Sequence, residues 1–169
     1  MHALYLLRHA KSSWADPAIP DQERPLAPRG QRDGKRIAKH LARLGIQAEL
    51  VLCSTAERTR QTLELVRPAL GTTGNTRLEA ELYAASSDEL LERIRGVAEE
   101  VASVMLIGHN PGLQDLALVL ASGGVGLERL QAKFPTAALA TLTLGNTPWN
   151  KLSNADALLA AYVVPKQLA

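Results

Sequence analysis

Three short, unbroken apolar runs, at residues 3–7 (ALYLL), 50–53 (LVLC) and 104–107 (VMLI), limit the folds open to this chain. A strand with one wet face alternates apolar and polar residues, whereas an unalternating run suits a strand covered on both faces by helices. The segments between the runs supply those helices. Ile37, Leu41 and Leu44 follow Pro28 and end at Gly45, and Thr59, Leu63, Val66 and Leu70 form a second stripe behind a predicted Ser54-Thr55 cap. Leu90, Ile94, Val97 and Val101 form a third behind the capping-box sequence Ser86-Ser87-Asp88-Glu89. Residues 113–120 predict another helix, stopping before a Ser122-Gly123-Gly124 turn. Residues 76–78, 138–144 and 160–164 read as further strands, the last two separated by a Gly145-Asn146 turn. The alternation predicts an α/β fold, a three-layer α/β/α sandwich with a mostly parallel central sheet, in one domain over residues 1–169.

Sheets of this kind bind ligands beyond the carboxyl ends of their strands. The polar residues just after the apolar runs are Arg8-His9, the segment from Ser54 to Arg58, and Gly108-His109-Asn110. Arginine offers a planar fork that fits phosphate oxygens, and Arg58 falls in the first turn of a helix, where free N–H groups also favour an anion. Positive neighbours keep an imidazole neutral, and a neutral ring nitrogen is a nucleophile, so His9 is the candidate to attack phosphorus. Cations around it neutralise the charge on the transferring phosphoryl group, and no metal and no cofactor is expected. Lys11, Ser12 and Asn110 are further candidates to touch the phosphate, and Trp14 is a candidate rim contact.

Composition removes other classes. Nineteen Lys and Arg face 17 Asp and Glu, and only 4% of residues are aromatic, so neither a polyanion track nor a base-stacking platform is expected and nucleic acid is not a partner. The cluster of Arg32, Lys35, Arg36, Lys39 and Arg43 around His40 reads as a solvated helix face. Cys53 is the single cysteine, which excludes an internal disulfide and suits a reducing cytoplasm. It ends a buried run without the Cys-x5-Arg loop of thiol phosphatases, and is read as core. The N-terminal run is interrupted by Arg8-His9 far short of a membrane span, so no membrane association is expected. Gly71 to Gly74 and Gly123 to Gly126 lack the order of nucleotide-binding loops and read as turns.

Leu6-Leu7-Arg8-His9-Ala10-Lys11-Ser12 resembles the Arg-His signature of the histidine phosphatase superfamily. Ser54-Thr55-Ala56-Glu57-Arg58-Thr59-Arg60-Gln61-Thr62 resembles its second-arginine segment, and Gly108-His109-Asn110-Pro111 its third block. The blocks occur in the family's order, each after a predicted strand, and the resemblance extends from Leu4 to about Val164. It implies a phosphoglycerate mutase-like sandwich in which His9 is transiently phosphorylated and Arg8, Arg58 and His109 form the phosphate pocket. Glu23-Arg24-Pro25-Leu26-Ala27-Pro28-Arg29-Gly30 resembles the R-P-L-x-x-x-G segment of small phosphohistidine phosphatases, which implies Arg24 as a further phosphate ligand. Two positions depart from the family pattern. Ala10 stands where glycine usually follows the Arg-His pair, and the segment from Glu79 to Ala84 lacks the Gly-containing motif that carries the general acid, leaving Glu81 as the preferred candidate.

A sugar alkoxide leaving group needs a proton in the transition state, whereas the imidazole of a phosphohistidine is far less demanding. The expected substrate is therefore a phosphohistidine-bearing protein. The alternatives are a small phosphate ester, taken by a sugar or nucleotide phosphatase or mutase with a working acid, and a non-catalytic module that binds phosphoproteins.

Overall fold

The computed structural model describes residues 1–71 and 74–168, so the turn expected at residues 71–74 lies partly outside the described residues. Seven strands, β1 Ala3–Arg8, β2 Leu50–Ser54, β3 Asn75–Glu79, β4 Ser103–Gly108, β5 Ala121–Gly124, β6 Leu139–Thr143 and β7 Ala157–Val163, form one sheet in the order β3-β2-β4-β1-β6-β7-β5. β1, β2, β3 and β4 pair in parallel, β6 runs antiparallel to both its neighbours, and β5 pairs in parallel with β7. The sheet is thus mixed and mostly parallel, as expected.

The helices are α1 Pro28–Leu44, α2 Glu57–Val66, α3 Ser87–Arg95, α4 Gly112–Leu120 and α5 Leu127–Ala132. Period-2 geometry divides each apolar run between two cores. Leu4, Leu6, Leu50, Leu52, Val104 and Leu106 pack with α3, α4 and α5 on one face. Leu7, Val51, Cys53, Met105 and Ile107 pack with Ile37 and Leu41 of α1 and Leu63 and Val66 of α2 on the other. Both faces are dry, which is why the runs do not alternate. No helix among the described residues is long and apolar enough to cross a membrane.

Several local expectations need correction. Ser122-Gly123-Gly124 belongs to strand β5: Gly124 takes φ +132°, and a Cβ there would stand 2.1 Å from Leu159 O, so this glycine admits a close neighbour strand. α3 stops at Arg95, leaving Val97 and Val101 beyond the helix yet packed in or against the core. Ala56, not Ser54 or Thr55, is the N-cap of α2, without a side-chain cap bond. β7 begins at Ala157, ahead of the expected residue 160, and α5 has no counterpart in the sequence reading.

Candidate active site

β4 lies between β1 and β2, so the exits of three neighbouring strands deliver His9, Ser54 and His109 to one edge of the sheet. His9 is 6% exposed, and its backbone N–H continues the ladder by donating to Gly108 O at 3.1 Å. Its Nδ1 lies 2.7 Å from Ala10 O. A carbonyl only accepts, so Nδ1 carries the proton and Nε2 keeps its lone pair. The Ala10 N–H donates to Thr62 Oγ1 at 3.0 Å, and the Thr62 hydroxyl donates to Arg58 O at 2.8 Å. The ring of His9 is thereby tied through its own loop to α2.

The His109 ring stands 5.3 Å from that of His9, centroid to centroid. Arg58 Nη2 approaches His109 Nδ1 at 3.5 Å, and His109 Nε2 lies 2.8 Å from Ser54 Oγ. A guanidinium has no lone pair to offer, so Nδ1 is the accepting nitrogen and Nε2–H donates to Ser54. Burial lowers His9 from the usual range to about 3, with Arg58, His109 and Arg8 adding to the effect. Burial followed by Arg58 lowers His109 to about 4. Both rings are neutral at pH 7.

Arg8 Nη1 donates to Phe134 O at 3.0 Å, the same carbonyl that takes Asn110 Nδ2 at 3.1 Å. Asn110 Oδ1 also accepts from Gln114 N in α4. Asn110 is thus committed to bracing the helix and the Phe134 turn. Arg8 Nε and Arg24 Nε are buried N–H groups with no hydrogen-bond partner among the described residues.

Arg24 is 5% exposed and lies beneath Trp14, its guanidinium carbon 3.6 Å from the ring centroid. Its fork takes the carbonyls of Ser13, Asp16 and Pro17 at 3.5, 3.3 and 3.3 Å, so it fastens its own loop. Trp14 is accordingly a lid over Arg24, still 61% exposed. The side chain of Lys11 is exposed, while its carbonyl accepts from Ala27 N at 2.9 Å, and Ser12 bridges to Leu26. Gly30 explains the glycine of the Arg24 segment: a Cβ there would stand 2.2 Å from Lys11 O. The first turn of α1 can back the loop after β1 only without a side chain at that point.

Glu81 does not join the cluster. It is exposed on a 3-10 turn and lines a separate hollow with Glu79, Glu89 and Arg93, none of the two histidines or Arg58 being part of it. Glu79 is held by Arg93 at 2.7 and 2.9 Å. The carboxylate that does reach the site is Asp21, which the sequence reading missed. Arg58 Nη2 donates to Asp21 Oδ2 at 3.0 Å and Nη1 to Asp21 O at 2.7 Å, and the Tyr83 hydroxyl also donates to Oδ2. The Tyr83 bond, then Arg58, hold Asp21 below the usual carboxylate range. Tyr83 also meets His109 edge-on at 5.3 Å. Asp21 sits in a loop without periodicity, and its only signal was a charge three positions before Arg24. Cys53 is fully buried, and burial pushes its thiol up to about 12, which keeps it protonated and inert.

The mostly parallel sandwich thus gathers two neutral histidines and two arginines at the carboxyl edge of its sheet, a setting able to hold an anion. The chain belongs to the histidine phosphatase superfamily, branch 1, whose family model matches residues 4–100. It is 37% identical over 165 residues to an uncharacterized protein of Mycobacterium tuberculosis, covering 95% of this chain and 100% of the relative. It is 30% identical over 152 residues to the phosphohistidine phosphatase SixA of Escherichia coli, covering 87% of this chain and 90% of that protein. The solved structure of the protein histidine phosphatase SixA complexed with tungstate has the same fold, with a TM-score of 0.79, 24% identity and coverage of 98% of both chains.

Proposed function

We propose that this chain is a protein phosphohistidine phosphatase acting through a phosphorylated His9. The observation that carries the reading is the state of the His9 ring: Nδ1 is spent on Ala10 O at 2.7 Å, which leaves the Nε2 lone pair among the charges of Arg8 and Arg58. In the first step Nε2 bonds to phosphorus as the donor's P–N bond breaks, and a donor imidazole protonated at its other nitrogen leaves neutral. In the second, water attacks the phosphorus on His9, the P–Nε2 bond breaks, and inorganic phosphate departs with the surplus proton passing to solvent. Arg8 and Arg58 balance the charge on the equatorial oxygens in both steps, Arg58 exchanging the Asp21 carboxylate for phosphoryl oxygens. His109 keeps the Arg58 fork in register, and Arg24 adds positive charge felt at Asp21 from the loop it fastens. The binding of tungstate, a tetrahedral oxyanion, by the related SixA structure supports an anion of this shape.

The leaving group favours phosphohistidine. Asp21, the carboxylate beside Arg58, is held ionised by Tyr83 and Arg58, and an ionised carboxylate has no proton to give an alkoxide. The test is kcat/KM for a phosphohistidine peptide beside that for an alkyl phosphate, with the same enzyme at pH 7. Preference for the phosphohistidine by at least about a hundredfold, the lower end of the usual contribution of general acid catalysis, is expected. Equal values would overturn this reading in favour of a small-ester phosphatase.

A further inference from the structure

A second concave surface adjoins the phosphoryl site without belonging to it. Arg29, Asp33 and Arg36 on the first half of α1 face Arg129 of α5, Lys133 and Lys166 across a hollow of about 470 Å³. None of His9, Arg58 and His109 lines it. Five cations meet a single carboxylate there, in a chain whose net charge is only +2. Asp33 is buried and answers Arg29 at 3.5 Å and Arg36 at 3.4 Å. Arg129 donates to Tyr162 O and to Gln167 Oε1, both at 2.9 Å, and has no carboxylate partner among the described residues. Lys133 and Lys166 are exposed, and neither is ion-paired among the described residues. The charge is therefore unspent on one side of the groove. The expectation of a solvated face on α1 is too simple for Arg36, which belongs to this concave surface.

The groove is coupled to the catalytic loop through one short segment. Pro135 and Thr136 line it, while Phe134 O holds Arg8 and Ala137 N donates to Arg8 O and His9 O at 3.1 and 3.0 Å. Residues 135–136 therefore join the wall of the groove to the backbone that carries Arg8 and His9. The apolar part of its wall, with Tyr162 and Val164, suits aliphatic stems of side chains, and the unpaired cations suit their carboxylate tips. A single hollow of this size accepts a few side chains, in contrast to the long basic track that a nucleic acid follows.

We propose that this groove docks an acidic segment of the phosphoprotein substrate, placing glutamate or aspartate residues that flank the phosphorylated residue against Lys133, Lys166 and Arg129. The inference rests on the phosphoprotein reading of the active site and specifies which phosphoproteins that site serves. Charge pairs at the rim of an interface act mainly through encounter rate and partner choice, so the groove selects among substrates without altering the chemistry on His9.

The test uses synthetic phosphohistidine peptides that differ only in having glutamates or glutamines as flanks, the full-length enzyme and its Lys133→Glu/Lys166→Glu variant. The wild type is expected to favour the glutamate peptide in kcat/KM by about tenfold at low salt, an advantage that fades as salt screens the pair. The variant is expected to lose that advantage while hydrolysing an aryl phosphate at the wild-type rate. No flank preference in the wild type, or the same preference in the variant, overturns the proposal. If neither phosphohistidine peptide is turned over, the reading of the site fails separately. The same flanks on phosphotyrosine peptides, read by fluorescence anisotropy as well as turnover, then decide the groove by the same criteria. Binding of duplex RNA or of phosphatidylglycerol vesicles that the variant abolishes, with no flank preference, assigns the groove to another polyanion and overturns the proposal.

Discussion

Replacing Thr62 by valine keeps the shape of the side chain and removes one oxygen, the oxygen that accepts the Ala10 N–H at 3.0 Å. Ala10 is 0% exposed, so its N–H finds no water in exchange. A buried donor left without a partner costs about 1–3 kcal/mol. For a chain of 169 residues, this lowers the melting temperature by about 2–12 °C, since each kcal/mol shifts a domain of this size by about 2–4 °C. The catalytic effect follows from the same atoms. Ala10 O fixes the tautomer and the plane of His9, and an Ala10 peptide freed from α2 fixes them less well. The kcat of Thr62→Val on an aryl phosphate is expected to fall by about tenfold, the cost of about 1.4 kcal/mol in transition-state stabilisation. Thr62→Ser, which restores the oxygen, is expected to recover most of both losses. The assay is thermal unfolding by calorimetry beside steady-state kinetics on the same preparations. A Thr62→Val protein with unchanged melting temperature and unchanged kcat would refute the link from α2 to the nucleophile.

Because His9 and His109 stay neutral down to about 3 and 4 in the folded chain, the unfolded chain binds more protons than the native one below its ordinary histidine range. Stability is therefore lost as pH falls from about 6.5 toward 4, with His9 alone contributing about 3 kcal/mol of that loss. Carbon-bound proton resonances of His9 that stay constant between pH 7.5 and 5 support this, and titration near the ordinary histidine value contradicts it. Asp21→Asn removes the charge that competes with phosphate for Arg58 while its main-chain carbonyl still holds Nη1 at 2.7 Å. Inhibition by inorganic phosphate is expected to tighten by about threefold to tenfold, the effect of about 1 kcal/mol, and weaker inhibition would make Asp21 a positioning group for Arg58 instead. Gly30→Ala drives a methyl into Lys11 O, and is expected to cost about 1–3 kcal/mol by urea unfolding, the usual cost of overpacking; a neutral result would show that the loop yields freely.

The sheet is legible because burial on both faces writes itself as unbroken apolar runs, and the meeting of Arg8, His9, Arg58 and His109 at one sheet edge is legible because each lies in the short segment that follows such a run. β5 is not, since glycine marks both a turn and a close strand approach, and at Gly124 it is the approach to Leu159 that requires it. Arg24 was found by its motif, but a linear sequence does not tell which way a loop arginine turns, and here it closes on the carbonyls of residues 13–17. Glu81 follows the third strand, where the family's acid is expected, yet it is exposed and faces a separate hollow. The carboxylate at Arg58 comes instead from Asp21, in the long loop after β1, through a contact that spans 37 positions of sequence. Tyr83 and Thr62 were invisible for the same reason, each acting through a neighbour distant in the chain.

The proposed reaction depends on the His9 ring nitrogen carrying the phosphoryl group during turnover. Rapid-quench trapping with a labelled phosphohistidine peptide, followed by acid and alkaline treatment and mapping of the modified residue, tests it most directly. The prediction is an acid-labile, alkali-stable phosphate on His9 Nε2 that forms within one turnover and is absent from folded His9→Ala, which has lost activity. Turnover at the wild-type rate in His9→Ala, or label on any other residue, would contradict it.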